Sequence, residues 1–296
     1  LGDAVKRWLA KREESNIRHN TQIMNQLSLS YFIEAVGASR PLKSISHSDI
    51  DSYVAFLEKR GNNDTTINIR LRTVKAMMNH FIKIEAMDKM PLIEQRKIAK
   101  KDPIYIPDED FRAMMQIDQL DDFYKRVFLF YRETGMRLRE PFIATLNGSW
   151  IDIPPETKTK VERSIEVSEL IKAIFLELKD WQLNGYGSTI KDPGEHLSKV
   201  FKQYFKQVSV NANIHFHSLR HTFAVRQILM GVSIYDVKLL LGHASVTTTE
   251  QYSNMNLKRV AQDFPDLKRP STLMPKMAME DTVLEGIKGS VSNYLT

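Results

Sequence analysis

The sequence contains no cysteine. That excludes disulfides, thiolate zinc centres and a cysteine nucleophile, and it fits an intracellular protein. No apolar run approaches the roughly 18–20 residues that span a bilayer, so no membrane association is expected. Leu1 to Arg12 mix charged and apolar side chains without the pattern of a signal peptide. Residue 1 is not methionine, which leaves room for a further N-terminal module. Internal repeats and low-complexity tracts are also lacking.

What is present suits a folded protein. The chain of 296 residues is long enough for two domains of ordinary size, and a hydrophobic content of 42% supports real cores. Lysine and arginine number 42 against 36 acidic residues, a formal net charge of +6. That balance suits a nucleic-acid partner and equally suits an ordinary basic enzyme.

The first third reads as helical. Apolar residues recur four apart at Ile23, Leu27, Tyr31 and Ala35, predicting a helix over 21–36 that Gly37 closes. Ser46 followed by Asp49 resembles a capping box and opens a helix to Lys59. Asp64 or Thr65 caps a longer helix to about Ala86, with Pro91 blocking extension. Its apolar stripe is Ile67, Leu71, Val74, Met78 and Phe81. Asn68, Arg72, Lys75 and Asn79 line another side, either as a solvated face or as a helix laid in a DNA groove. These elements predict an all-helical domain over 1–94. Residues 95–106 form a basic linker, where Lys97, Lys100 and Lys101 either track a phosphate backbone or make a soluble hinge.

A second domain is predicted over 107–264. Helices are expected over 108–117 and 123–133, then a small sheet. Trp150–Ile153 and Ser164–Val167 alternate as strands do, and the polar segment 154–160 connects them. Further helices are expected over 169–183, 195–208, 217–230 and 234–241. The fold class is therefore mainly α with a small antiparallel sheet. After Phe264 comes a tail, 265–296, with Pro265, Pro270 and Pro275 near its start. Leu284, Ile287, Val291 and Leu295 recur there at helical spacing, so a terminal helix needs a surface to cover its stripe.

The chemistry concentrates between His217 and Tyr252. His217-Ser218-Leu219-Arg220-His221 is followed by Leu241-Gly242-His243 and by Tyr252, with Thr134-Gly135-Met136-Arg137 and Glu140 upstream. Two guanidinium groups clamp the oxygens of an anionic phosphodiester with paired hydrogen bonds, as lysine cannot. A phenol supplies a protein nucleophile, and imidazoles move protons. Such a site needs no metal. His217 and His221 stand four apart, as zinc ligands on a helix do, but Ser218 occupies the place where the zincin pattern has glutamate. No cofactor is expected.

As an ordered set, these motifs resemble those of the tyrosine recombinase family, of the phage-integrase and Xer type. The resemblance covers most of the chain. It implies that Arg137 and Arg220 clamp the phosphate and that Tyr252 forms a 3′-phosphotyrosyl ester. It implies that His217 acts as base or proton relay and that His243 bonds a nonbridging oxygen. The family's general acid is a lysine in the hairpin between the second and third strands. Lys158 fits that place, with Lys160 as its competitor, just as Arg139 competes with Arg137. Glu140 supports the site structurally. Double-stranded DNA, four protomers working through a Holliday junction, and accessory DNA-bending factors are the implied partners. The tail is expected to dock on a neighbouring protomer, or else in cis. A cytoplasmic, nucleoid-associated enzyme follows. A type IB-like topoisomerase and a DNA-binding protein without catalysis are the competing readings.

Overall fold

The computed structural model describes residues 1–15, 17–99, 102–155, 162–252 and 255–267. The chain divides into two compact units, Leu1–Lys100 and Lys101–Thr296.

The first unit is built from α1 (Gly2–Glu14), α2 (His19–Val36), α3 (His47–Lys59) and α4 (Asp64–Lys83). Ser46 and Asp49 form the expected capping box at the start of α3. The helix that the row Ile23, Leu27, Tyr31 and Ala35 predicts is α2; Tyr31 and Ala35 of that row are half-buried against the core, and the deepest residues lie on a neighbouring face. Asn25, Ser28, Leu29 and Phe32 are buried, and Ile23 is exposed. Apolar residues lie on several sides of this helix. The buried Tyr53 hydroxyl donates to the Ser28 carbonyl at 2.7 Å and joins α3 to α2.

The apolar stripe of α4 is buried as expected. Its cap is neither Asp64 nor Thr65 but Asn63, whose side chain accepts from the Thr66 amide at 2.9 Å. The helix stops at Lys83, short of Ala86, and Glu85 follows in the left-handed region at φ 58°. Arg72, Lys75 and Asn79 are exposed together. Asn68 does not join them, which corrects its assignment to a DNA-facing row. It is buried, and both ends of its amide are used by the chain itself. Nδ2 donates to the Arg96 carbonyl and Oδ1 accepts from the Arg96 amide, each at 2.9 Å. Arg96 also pairs with Asp64 at 2.7 Å and with Glu58, so the irregular segment 91–99 is tied back to its own unit. Lys97 is exposed. Lys100 and Lys101 lie outside the described residues.

The second unit begins with α5 (Asp108–Met115) and α6 (Asp122–Thr134). A short α7 (Glu140–Ile143) leads into β1 (Thr145–Asn147), β2 (Trp150–Ile153) and β3 (Arg163–Glu166). The strands form one antiparallel sheet in the order β1-β2-β3, with Ile151 opposite Ile165. This is the mainly helical class with a small antiparallel sheet that the sequence predicts. The strand β1 was not anticipated, because three residues carry too little alternation to register. Then come α8 (Glu169–Leu183), α9 (Pro193–Phe205), α10 (Ser218–Leu229), α11 (Ile234–Leu241) and α12 (Leu257–Val260). The start of α9 is set by Asp192, whose carboxylate accepts from the Glu195 amide at 3.0 Å.

Two apolar cores support this unit. One is rich in aromatics, with Phe128, Tyr131, Phe201 and Phe216 packed edge to face. The other gathers Phe223, Val237, Leu241, Tyr252, Met255 and Phe264 beneath the second half of the motif. The segment entering α5 is bonded to both ends of this layer. The Ile106 amide donates to Thr222 Oγ1 at 2.8 Å, and the Tyr105 hydroxyl donates to Asp263 at 2.6 Å. Among the described residues, no helix is long and apolar enough to cross a membrane.

Asn68→Ala removes both bonds to Arg96. A lost hydrogen bond of this kind contributes about 1 kcal/mol, so amide hydrogen exchange at Arg96 is expected to speed up roughly five-fold or more. Unchanged protection would contradict the account of Asn68.

Candidate active site

The site is assembled at helix ends. At the close of α6, Gly135 adopts φ 61° and lets the chain turn sharply. A Cβ at that position would lie 2.5 Å from the Phe223 ring on α10, so glycine allows both the turn and the close approach. The turn carries Arg137 and ends at Glu140, the first residue of α7. Arg220 lies in the first turn of α10. The C-cap of α11 is Gly242, again left-handed at φ 61°, with His243 next to it. Tyr252 ends a short 3₁₀ turn, Glu250–Tyr252.

Hydrogen bonds draw these pieces together. The backbone N–H and Nη1 of Arg137 both donate to the Glu140 carboxylate at 2.7 Å, and Nη2 donates to the Gly242 carbonyl at 3.2 Å. Arg220, only 2% exposed, donates through Nη1 to the Gly135 carbonyl at 2.7 Å and through Nη2 to the Leu241 carbonyl. Each arginine therefore spans from its own segment to the backbone of another. Arg139, the competitor of Arg137, is exposed and pairs with Asp192.

Arg163 was missed in the sequence. It points inward from β3, buried, and grips Glu140 with Nη1 at 3.1 Å and Nη2 at 2.6 Å. A Cβ on Gly242 would meet its Nη1 at 2.7 Å, so a glycine is required where α11 passes over it. The available signal was a charged residue at an inward register of a strand. The motif pattern assigns no role to His221, yet its Nδ1 lies 2.7 Å from the Tyr252 hydroxyl. Tyr252 itself is 1% exposed. His217 touches His221 edge to face, with ring centroids 5.0 Å apart. Nδ1 of His243 lies 2.9 Å from the hydroxyl of buried Thr249, which orients the ring. Lys158 and Lys160 lie outside the described residues. Among those residues, no group of three or more His, Asp or Glu is placed to hold a metal ion.

The electrostatics favour an incoming anion. Arg137 and Arg163 share one carboxylate, and Arg220 beside them is held by backbone carbonyls. Burial disfavours the charge on Glu140, but the bonds from Arg163 and Arg137 outweigh it and hold the carboxyl at about 2. Burial, and then Arg137, pull Arg220 down to about 9, which leaves it charged at neutral pH. Burial first and neighbouring cations second keep the imidazoles neutral, His243 at about 3 and His221 at about 4. His217 is open to solvent on one side. The packing of its inner side, followed by His221 and Arg220, brings it to about 3. Burial raises the Tyr252 phenol, and Arg220 opposes that shift.

A phenol paired with an imidazole thus lies beside a guanidinium cluster, in a mainly helical unit with a small antiparallel sheet. The chain belongs to the phage integrase family, whose sequence profile matches residues 105–259. It is 24% identical over 260 residues to a tyrosine recombinase XerC of Lacticaseibacillus casei, covering 79% of this chain and 86% of that one. It is 24% identical over 245 residues to a tyrosine recombinase XerD of Halalkalibacterium halodurans, covering 75% and 81%. The fold resembles that of a lambda integrase dimer bound to a COC′ core site, with a TM-score of 0.70 at 14% identity over 95% of this chain and 99% of that one. It also resembles the Tn1549 transposon integrase in complex with transposon right end DNA, with a TM-score of 0.67 at 18% identity over 88% and 98%.

Glu140→Gln leaves Arg137 and Arg163 without their counter-charge. Breaking a buried pair this way costs about 3–5 kcal/mol, to be read by denaturant unfolding; a loss below about 1 kcal/mol would show that the pairs behave as surface contacts. Acid should act in two stages. Unfolded imidazoles protonate near ~6.5 whereas the folded ones resist to about 3–4, so stability falls as pH drops below that upper value. The folded Glu140 carboxyl lies below its unfolded value, so its contribution is lost later, as pH falls toward about 2. A melting temperature constant from pH 7 to pH 5 would contradict the first stage.

Proposed function

We propose that this chain is a site-specific DNA recombinase that cuts and rejoins DNA through a covalent bond to Tyr252. The observation that carries the reading is the Tyr252 hydroxyl bonded to a neutral imidazole with Arg220 close enough to oppose the rise in its pKa. The phenol oxygen attacks phosphorus, and the bond from phosphorus to the 5′ oxygen breaks. A 3′-phosphotyrosyl ester results, and the 5′ hydroxyl of a partner strand reverses the step. The phosphodiester energy is kept in that ester, so no nucleotide is consumed.

Arg137 and Arg220 stabilise the charge that develops on the nonbridging oxygens. They are held by carbonyls and a carboxylate before substrate arrives, so little reorganisation is needed when charge appears. His243, oriented by Thr249, donates to one of those oxygens. His217 serves in the proton relay. Lys158 protonates the departing 5′ oxygen, with Lys160 as the competitor. Glu140 keeps Arg137 in place and touches no reacting atom.

Duplex DNA is the partner this chemistry demands. Proteins of related fold have been captured on it, including the lambda integrase on a core site and a XerH recombinase on a palindromic difH substrate. In the helical unit, Arg72, Lys75 and Asn79 form an exposed polar row suited to a groove, and Lys97 with Lys100 and Lys101 suits the phosphate backbone. Four protomers acting in two successive strand exchanges, joined through the tail beyond 265, complete the proposal. Accessory DNA-bending factors would assist assembly.

A suicide substrate nicked beside the cleavage site tests the reading. Wild-type protein should form a covalent adduct, and Tyr252→Phe should form none. An adduct in Tyr252→Phe, or none in wild type, would sink the proposal. Relaxation of plasmids without site preference would instead favour a type IB-like topoisomerase. Arg220→Ala should lower the cleavage rate by about 10²–10³ while DNA affinity in a gel-shift titration changes little. Lys158→Ala should be slow on ordinary DNA and recover on a 5′-bridging thiolate, whose leaving group needs no proton. If Lys160→Ala shows that recovery and Lys158→Ala does not, the acid is Lys160.

A further inference from the structure

We infer that His221 is the group that takes the proton from the Tyr252 phenol, with His217 acting as the next station rather than the first acceptor. The inference rests on the strand-cutting reading above and adds a residue to it.

The argument starts from position. His217 caps α10, and His221 lies one turn later on the same face. That step brings the His221 ring, and not the His217 ring, to the phenol. Nδ1 of His221 is 2.7 Å from the hydroxyl, with ring centroids 5.9 Å apart. A nitrogen at this distance, in the tautomer that carries its proton on Nε2, accepts from the phenolic O–H. The charged and titratable groups facing His221 are His215, His217, Arg220, His243 and Tyr252. Packing and those neighbours keep the imidazole neutral at working pH, which is the form a proton acceptor needs. They also make an imidazolium beside Arg220 a poor resting state, so the proton must move on. His217 lies 5.0 Å from His221 by ring centroids, and exposed His215 stacks 6.4 Å beyond it. The three rings lead from the buried phenol to solvent.

The balance of the step is simple. As the bond from phenol oxygen to phosphorus forms, the phenolic proton passes to Nδ1 of His221. The bond from phosphorus to the 5′ oxygen breaks, and that oxygen takes a different proton from the general acid. The phosphodiester anion adds negative charge beside His221, which raises its affinity for the proton as the reaction proceeds.

The test uses full-length protein and single-turnover adduct formation from pH 5 to pH 9. The substrate carries a 5′-bridging thiolate, so that only nucleophile activation is read. Because His221 is neutral at and above neutral pH, wild type should show a flat rate from pH 7 to pH 8. His221→Asn keeps a hydrogen-bond acceptor near the phenol but cannot take the proton. It should lose about 10²-fold or more at pH 7, and its rate should rise with pH as hydroxide replaces the missing base. His217→Asn should lower the plateau without changing its shape. His221→Ala should regain rate when free imidazole is added. Unchanged circular dichroism and DNA affinity in these variants separate the effect from misfolding. If His221→Asn forms adduct as fast as wild type, or faster, the contact only positions or restrains the phenol, and the assignment is wrong. It is also wrong if His217→Asn, and not His221→Asn, acquires the rising pH profile. If wild type itself forms no adduct, the strand-cutting reading falls, which is a different result.

Discussion

One carboxylate holding two guanidinium groups is the interaction on which the site depends. Like charges do not gather in a protein interior without a counter-charge, because burial penalises each of them. Glu140 supplies it for Arg137 and Arg163. Arg220 has no carboxylate in hydrogen-bonding contact among the described residues and is held by two backbone carbonyls. The cluster therefore retains an excess of positive charge, which a phosphodiester anion can offset.

The scaffold makes that excess tolerable by fixing it from several directions. Gly135 and Gly242 let the backbone come close enough for its carbonyls to serve as acceptors, and any larger residue there would strike Phe223 or Arg163. The aromatic core under α6 and the smaller core under α10 and α11 hold those carbonyls in place. The tyrosine belongs to the second core through its ring and to the polar site through its hydroxyl. That division lets one residue be both a packed side chain and, in the proposed reaction, a nucleophile. It also explains why the phenol is depleted of charge in the protein alone and depends on neighbours to lose its proton.

Much of this was legible in the residues. Arg137, Arg220, His243 and Tyr252 were singled out by type and order, and they lie together. The helix spans 169–183 and 234–241 were read to the residue, because strong caps and apolar periodicity agree there. The failures have physical causes. The amide of Asn68 looked available because an exposed row and a buried bonding partner share the same helical spacing; only the return of Arg96 shows the difference. The row on α2 marked the helix but not its deepest face, because that helix is apolar on more than one side. Arg163 and His221 were passed over because their partners, Glu140 and Tyr252, are 23 and 31 residues away. Spacing along a chain does not reveal which of several imidazoles reaches a phenol.

The most direct measurement is to trap protein on a nicked DNA substrate, digest with trypsin and sequence the peptide that keeps a nucleotide. The account predicts the fragment from Leu239 to Lys258, modified at its single tyrosine, Tyr252. A nucleotide attached to any other residue would contradict it, as would the absence of any attached peptide from a protein that still binds the DNA.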